Sequence, residues 1–321
     1  VPRAFVTGAT GQDGSYLVER LIDNGWEVHA LVRSSMTDGE TAVPDGVHAH
    51  VGDLSDRAAL AGLVDETEPD LVVNLGGITS VARSWQEPSL TGLISGVAAV
   101  ALMEAALRVQ ERRGAEVRFV QASSAEIFGA ATQIPQNEST PLRPVSPYGA
   151  AKSYAHESAA FLRGQGLAVS CAVLYNHESP RRPTGFVTRK ITAGVARISR
   201  GLERELVLGN LDARRDWGWA PDYVDAMLRM TTADPDDFIV ATGIAHSVRD
   251  FVAAAFAAAG IEEWEPLVRV DPAFLRPDDA PLQIGDASRA RERLGWSPTI
   301  AFEGIVAAMV HADLDDLDRR S

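Results

Sequence analysis

Four side chains between residues 124 and 152 are of the types that move protons on and off hydroxyl groups: Ser124, Glu126, Tyr148 and Lys152. Tyr148 and Lys152 stand four apart at the start of an Ala-rich segment, SPYGAAKSY. On a helix, residues i and i+4 share a face, so the phenol and the ammonium are expected on one surface. A neighbouring cation stabilises a phenolate, which predicts a lowered pKa and a base at Tyr148 near neutral pH. Ser124 and Glu126 follow the apolar run that ends at Gln121 in FVQASSAEIFG, read as a buried parallel strand. An open α/β sheet binds its ligands at the carboxyl ends of such strands. Tyr-x-x-x-Lys alone is also found on ordinary solvated helices, so the rest of the chain has to supply the context.

That context begins at the N-terminus. A short apolar strand at 4–7 runs into TGATGQDG and then into a helical pattern. Gly8, Gly11 and Gly14 give G-x-x-G-x-x-G. Glycines permit a tight turn and close approach to a pyrophosphate, while the helix start presents free N–H groups to an anion. A second strand at 27–32 ends in Arg33, Ser34 and Ser35, where an NAD site carries an acidic residue. A guanidinium there suits a phosphate dianion, which predicts NADP. After a third strand at 47–51, Asp53 is placed to accept from an adenine amino group and Leu54 to pack on the ring. As a helix cap for the next segment, Ser55 is the better candidate. A fourth strand at 71–75 ends in Gly76 and Gly77, which allow a ligand close approach. A helix at 88–109, a fifth strand at 117–121, a helix from 148 and a sixth strand at 168–174 complete a βαβαβ series. The series predicts a doubly wound parallel sheet of Rossmann type with a smaller C-terminal α/β substrate domain.

The expected division is 1–175 for NADP and the catalytic residues, and 176–321 mainly for the substrate, with some segments returning to the first domain. Past Tyr175, Arg181, Arg182, Arg189 and Lys190 crowd into one stretch, and Arg214 and Arg215 follow. In a chain of net charge −14 this cluster reads as a pyrophosphate pocket. Arg215 and Asp216 read as a guanidinium held by its counter-ion.

Composition limits the alternatives. A chain of 321 residues that is 45% hydrophobic can bury a substantial core. The acidic balance argues against nucleic acid or an anionic membrane as partner. One cysteine, Cys171, rules out an intrachain disulfide, and no HExxH pattern occurs, so no metal site is expected. No long apolar run and no signal peptide are read, so a soluble cytoplasmic protein is expected.

These motifs resemble the extended short-chain dehydrogenase/reductase family along nearly the whole chain. The resemblance is closer to its GDP-mannose 4,6-dehydratase branch, through TGQDGSYL, QASSAEIFG, SPYGAAK, YNHESPRR, FVTRKI, LGNLDARRDWG with DYV, and RPDD with GDASRARERLGW. The resemblance implies NADP held by Gly8, Thr10, Gly11, Gln12, Asp13, Arg33, Ser34, Asp53, Leu54, the Leu75–Thr79 turn with Gly76 and Gly77, Tyr148, Lys152, His177 and Arg182. It implies GDP-mannose held by Ser124, Glu126, Asn176, Val187, Lys190, Gly209, Arg215 and Arg276. A homo-oligomer, dimer or tetramer, is also implied. Departures fall around the cofactor and hexose: Ser124 replaces a usual Thr, Ala125 a Ser, Gly76–Thr79 an AAQS turn, and Leu90 a Tyr. The segment after the second strand is shorter than usual.

The resemblance implies an internal redox dehydration. Tyr148, aided by Lys152, takes the proton of the C4 hydroxyl as NADP+ removes hydride. Glu126 then removes H5 and protonates the departing C6 hydroxyl, and hydride returns at C6. Ser124 hydrogen-bonds the C4 oxygen. The competing readings are another nucleotide-sugar 4,6-dehydratase, a GDP-sugar reductase or epimerase, and a cofactor-sensing binding protein.

Overall fold

The computed structural model describes residues 1–33, 42–274 and 282–320. Its strands are β1 (Arg3–Thr7), β2 (Glu27–Val32), β3 (His48–Val51), β4 (Leu71–Asn74), β5 (Arg118–Ala122), β6 (Ala168–Leu174), β7 (Asn176–Glu178), β8 (Leu206–Leu208), β9 (Arg214–Trp219), β10 (Asp237–Val240), β11 (Ala245–Ser247) and β12 (Val268–Val270). Its helices are α1 (Gln12–Asp23), α2 (Arg57–Thr67), α3 (Val81–Gln86), α4 (Pro88–Gly92), α5 (Ala98–Arg113), α6 (Pro147–Gly164), α7 (Val187–Ser199), α8 (Ala220–Met230), α9 (Val248–Ala258), α10 (Ser288–Leu294) and α11 (Phe302–Arg320).

Seven strands pair in parallel in the order β10-β6-β5-β4-β1-β2-β3. The order reverses between β1 and β4, and the crevice above that point is where such sheets bind ligands. Every residue of β4 and β6 is buried, as strands covered on both faces require. One face packs Leu17, Val18 and Leu21 of α1 against Val224 and Met227 of α8. The other packs β4 and β5 against Leu60, Val64, Leu102 and Leu162. Each such side chain contributes about 1.5–3 kcal/mol when fully buried. β10 and α8 come from beyond residue 176 yet build on this sheet. A smaller unit holds the β11-β9-β7 sheet and the β12-β8 pair. Its core joins Ile191 of α7, Phe251 and Phe256 of α9, and Val306 and Met309 of α11.

Two local expectations are corrected. Asp56, not Ser55, caps α2, accepting from the Ala59 N–H at 3.0 Å. Ser55 is instead engaged by Asp53, whose Oδ1 accepts from Ser55 N at 2.8 Å and Ser55 Oγ at 2.5 Å. The helical run from Pro88 to Arg113, whose most apolar 18-residue stretch has a mean hydropathy of 1.8, is long and apolar enough to cross a membrane by composition. No such run was expected. Half of its most apolar stretch is buried, with Leu102, Met103 and Val109 fully inside the core against the sheet.

Candidate active site

The floor of the site is a line of polar groups at the carboxyl ends of three neighbouring strands. Thr7 Oγ1 donates to Asn74 Oδ1 at 2.5 Å, Asn74 Nδ2 donates to Gln121 Oε1 at 2.8 Å, and Gln121 Nε2 donates to Ala122 O at 2.8 Å. The register places Thr7 opposite Asn74 and Asn74 opposite Gln121, so the bonds follow from strand pairing. Lys152 Nζ joins the end of this line, donating to Ala122 O at 2.7 Å. Buried polar groups of this kind are costly unless each finds a partner, and here they hold one another. These three polar residues escaped the sequence reading. Their signal was a single polar residue closing each apolar strand.

Pro147 at the first turn and Ser146 as the cap, accepting from Gly149 N at 3.0 Å, start α6 so that Tyr148 and Lys152 face inward. Both are buried, at 8% and 3% exposure. Gly149 fits because a Cβ there would press on Glu126 O at 2.6 Å, so α6 sits directly on the turn that bears Ser124 and Glu126. That turn is fixed by Ser124 Oγ accepting from Glu126 N at 3.2 Å.

The expected lowering of the Tyr148 pKa is not what the chain alone produces. Burial, with a smaller contribution from the Glu126 charge, pushes the phenol up to about 12 against a lowering hydrogen bond from Ser124. Lys152 Nζ lies 5.9 Å from the ring centroid and is engaged with Ala122 O. Its own pKa falls to about 8 through burial. Burial therefore sets the direction, Lys152 is not among the groups that lower the phenol, and further positive charge is needed for it to act as a base. Arg182 is also within electrostatic reach of Tyr148 and lowers its pKa.

The glycine turn fits a dinucleotide. Gly8 has a φ of 71°, the left-handed region that glycine adopts without strain. A Cβ on Gly8 would lie 2.8 Å from Gly76 N, and one on Gly14 would collide with Gly8 O. A Cβ on Gly11 would meet Gly8 O alone, at 3.3 Å. Gly11 opens α1 without a side-chain cap, so its own side chain does not compete with an anion for the first-turn N–H groups. Gly76 donates to Thr7 Oγ1 at 3.0 Å and packs on Leu54, while a Cβ on Gly77 would come 4.0 Å from Lys152 Nζ. The turn, the lysine and the β4 end thus meet in one place. Thr10 lies within the turn and Arg33 at the exposed end of β2, whereas Ser34 and Arg276 lie outside the described residues.

Two residues of the first helix reach the second half of the chain. His177 Nε2 lies 2.9 Å from Asp13 Oδ2, and Gln12 Nε2 donates to His177 O at 3.0 Å. Burial raises the Asp13 pKa and lowers that of His177, but their pairing prevails in both, leaving Asp13 lowered and His177 raised. The His177 ring stacks on Tyr223 at 4.5 Å.

The basic stretch divides. Arg181 covers the Tyr16 ring at 4.0 Å and pairs with Glu19 at 2.9 Å, and Arg189 pairs with Asp313 of α11. Arg214 donates to Ala245 O at 2.7 Å. These three serve packing, so the reading of the whole cluster as one pocket is corrected. Arg182 faces the site, 3.4 Å from Glu178 and over the Phe186 ring. Asp216 is not the counter-ion of Arg215. It is buried and accepts from Thr242 N, Thr242 Oγ1 and Gly243 N. Adjacent residues on a strand point to opposite faces, which separates the two.

Of the remaining substrate positions, Asn176 opens β7, Val187 and Lys190 lie on the first turns of α7, and Gly209 precedes β9. Arg215 of β9 bridges to Gln283, whose side chain donates to Ala125 O at 3.2 Å. Gln283, another residue not foreseen, thus ties the substrate unit to the turn carrying Ser124 and Glu126.

The family model described as GDP-mannose 4,6 dehydratase matches residues 5–309. GDP-mannose 4,6 dehydratase 1 of Arabidopsis thaliana is 42% identical, over 97% of this chain and 90% of its own. GDP-mannose 4,6 dehydratase of Homo sapiens is 40% identical, over 97% and 91%. Among solved structures, the UDP-glucose 4-epimerase of Thermus thermophilus in complex with NAD superposes with a TM-score of 0.84 at 26% identity, over 97% and 98%.

Proposed function

The chain belongs to the GDP-mannose 4,6-dehydratase family, and from that premise we propose how its residues convert GDP-mannose into GDP-4-keto-6-deoxymannose. The cofactor is NADP, which when bound supplies the redox chemistry and is restored within each turnover. The chain's own groups handle the protons. Tyr148 takes the C4 hydroxyl proton, and Ser124 orients that oxygen from the adjoining turn. Arg182 lowers the phenol and Lys152 shares its helix face, yet burial still leaves it at about 12, so positive charge beyond the chain's own, brought by the bound cofactor, would have to draw it down. Glu126 removes the C5 proton once C4 is a ketone, and delivers a proton to the C6 hydroxyl as water leaves. Gly8, Gly11, Asp13 and His177 hold the dinucleotide, Arg33 with Ser34 selects its 2′-phosphate, and Asp53 and Leu54 receive the adenine. Asn176, Lys190, Arg215 and Arg276 hold the nucleotide diphosphate.

The observation that supports this division is the pairing of two acid–base groups on separate elements. Glu126 sits just past the end of β5 and Tyr148 on α6, and the charge of one is felt by the other. A simple reductase needs only the phenol. The test is a single turnover with GDP-mannose. Tyr148→Phe is expected to give no NADPH absorbance. Glu126→Gln is expected to accumulate bound NADPH, with turnover lowered by about 10²–10⁴-fold. Product at near wild-type rate from Glu126→Gln would remove this role and favour a reductase or epimerase.

The proposed assembly is a homo-oligomer built on a dimer. An apolar groove lined by Pro88, Val97, Pro147, Ala150 and Tyr154 runs between α4 and α6. Tyr154 and Phe161 of α6 are 51% and 68% exposed, so an apolar face is open there. A soluble cytoplasmic enzyme fits a polar, anionic substrate and cofactor.

A further inference from the structure

Three of the seven histidines meet at the sheet edge, away from the residues discussed so far. His48 and His50 are two apart on β3 and therefore share a face. The register puts His29 of β2 directly opposite His48. Parallel strands lie about 4.8 Å apart, which brings the rings together. His29 and His48 stack with centroids 4.7 Å apart, and His29 and His50 at 5.2 Å. Glu27, two residues before His29, is on the same face. Its Oε1 lies 3.1 Å from His29 Nε2 and 3.8 Å from His48 Nε2.

We propose that Glu27, His29 and His48 form a binding site for a divalent transition-metal ion of the zinc class. One potential ligand atom from each lies within 4.8 Å of the other two. A tetrahedral ion bound at about 2.0–2.1 Å holds neighbouring donors about 3.3 Å apart. The two distances to Glu27 Oε1 bracket that spacing. Imidazole nitrogens with one carboxylate suit zinc, nickel or copper better than magnesium or calcium. His29 also has the outer support that such a ligand needs. Its Nδ1 lies 2.9 Å from His50 Nε2, and a proton donated from Nδ1 to His50 leaves the Nε2 lone pair aimed at Glu27 and His48. A cation between these atoms removes the clash of lone pair and carboxylate. His48 is 58% exposed, leaving a route for the ion and room for a water as fourth ligand.

A second grouping, His156, Cys171 and Asp237, is a poorer host. Asp237 is already neutralised by Arg163 at 2.6 Å, and Cys171 has no exposed surface. The edge site has a structural consequence. β3 pairs with the sheet only through β2 among the described strands. An ion shared by β2 and β3 would clip that edge strand, whose following residues lead to Asp53 and Leu54.

The test uses the full chain without an added histidine tag, stripped with a chelator and titrated with Zn2+ by calorimetry. One equivalent should bind and raise the melting temperature. His48→Ala and Glu27→Gln, both at partly exposed positions, should each weaken binding at least tenfold and abolish the thermal shift. His50→Ala should weaken it by about 10–100-fold through loss of support to His29. Circular dichroism of the metal-free variants checks that they remain folded. Co2+ should give the visible bands of a four-coordinate site without a thiolate charge-transfer band. Absence of a saturable equivalent in the folded wild type would overturn the proposal. So would unchanged stoichiometry and affinity in His48→Ala, or a thiolate band placing the ion at Cys171.

Discussion

Asp13 and His177 meet at 2.9 Å although 164 residues separate them. The contact joins the first turn of α1 to β7 and so couples the glycine turn to the smaller unit. The raised His177 pKa means that the native state holds that proton more tightly than the unfolded chain. Stability from this group is therefore fully present below about pH 6.5, the ordinary histidine value, and is lost as pH rises through the folded value. The lowered Asp13 pKa acts at the acid end. Its contribution is present above the ordinary carboxylate range and is lost as pH falls through the folded value. His177→Gln should destabilise by about 1.5–3 kcal/mol near pH 6 and by clearly less at pH 9. Urea melts at the two pH values measure this, and an equal loss at both would contradict the ion pair.

Arg33 follows β2 at an exposed position, where the sequence Arg33-Ser34-Ser35 carries no acidic residue, and its charge reaches the Asp53 carboxylate. If it receives the 2′-phosphate, Arg33→Ala should weaken NADP binding by about 1.5–3 kcal/mol, the range for a charged hydrogen bond. NAD binding should barely change. Fluorescence titration with both cofactors decides the matter, since equal losses would remove the guanidinium from that role.

Lys190 lies in the first turns of α7, whose Thr188 donates to Glu178 of β7 at 2.6 Å. Lys190→Ala should raise the KM for GDP-mannose roughly tenfold, the equivalent of about 1.4 kcal/mol, and leave NADP affinity unchanged. Steady-state kinetics at saturating cofactor supply the number. A changed NADP affinity would place this lysine elsewhere.

Tyr154 borders the apolar groove between α4 and α6. A charge at its centre would have to be buried unpaired in a dimer, which is costly. Tyr154→Glu should shift the protein toward monomer by light scattering without lowering its melting temperature as a monomer. A wild type that is monomeric at high concentration would dismiss this surface.

Some features followed from sequence alone because they depend on neighbours along the chain. The glycine spacing, the strand ends and the four-residue interval of Tyr148 and Lys152 are local, and backbone geometry turns them into a phosphate-binding turn and a shared helix face. The alternation of strands and helices likewise determined the fold class. Other features depend on which elements lie side by side. The Thr7–Asn74–Gln121 line exists because three strands pair in one register, and the Asp13–His177 and Gln283–Ala125 contacts exist because distant segments pack together. Basic residues that looked equivalent in sequence separate once Arg181 lies on Tyr16 and Arg189 meets Asp313. The Tyr148 pKa shows the division most directly. Sequence placed a cation four residues away, but only the fold could determine how deeply the phenol is buried, and burial is the largest cause of its raised pKa.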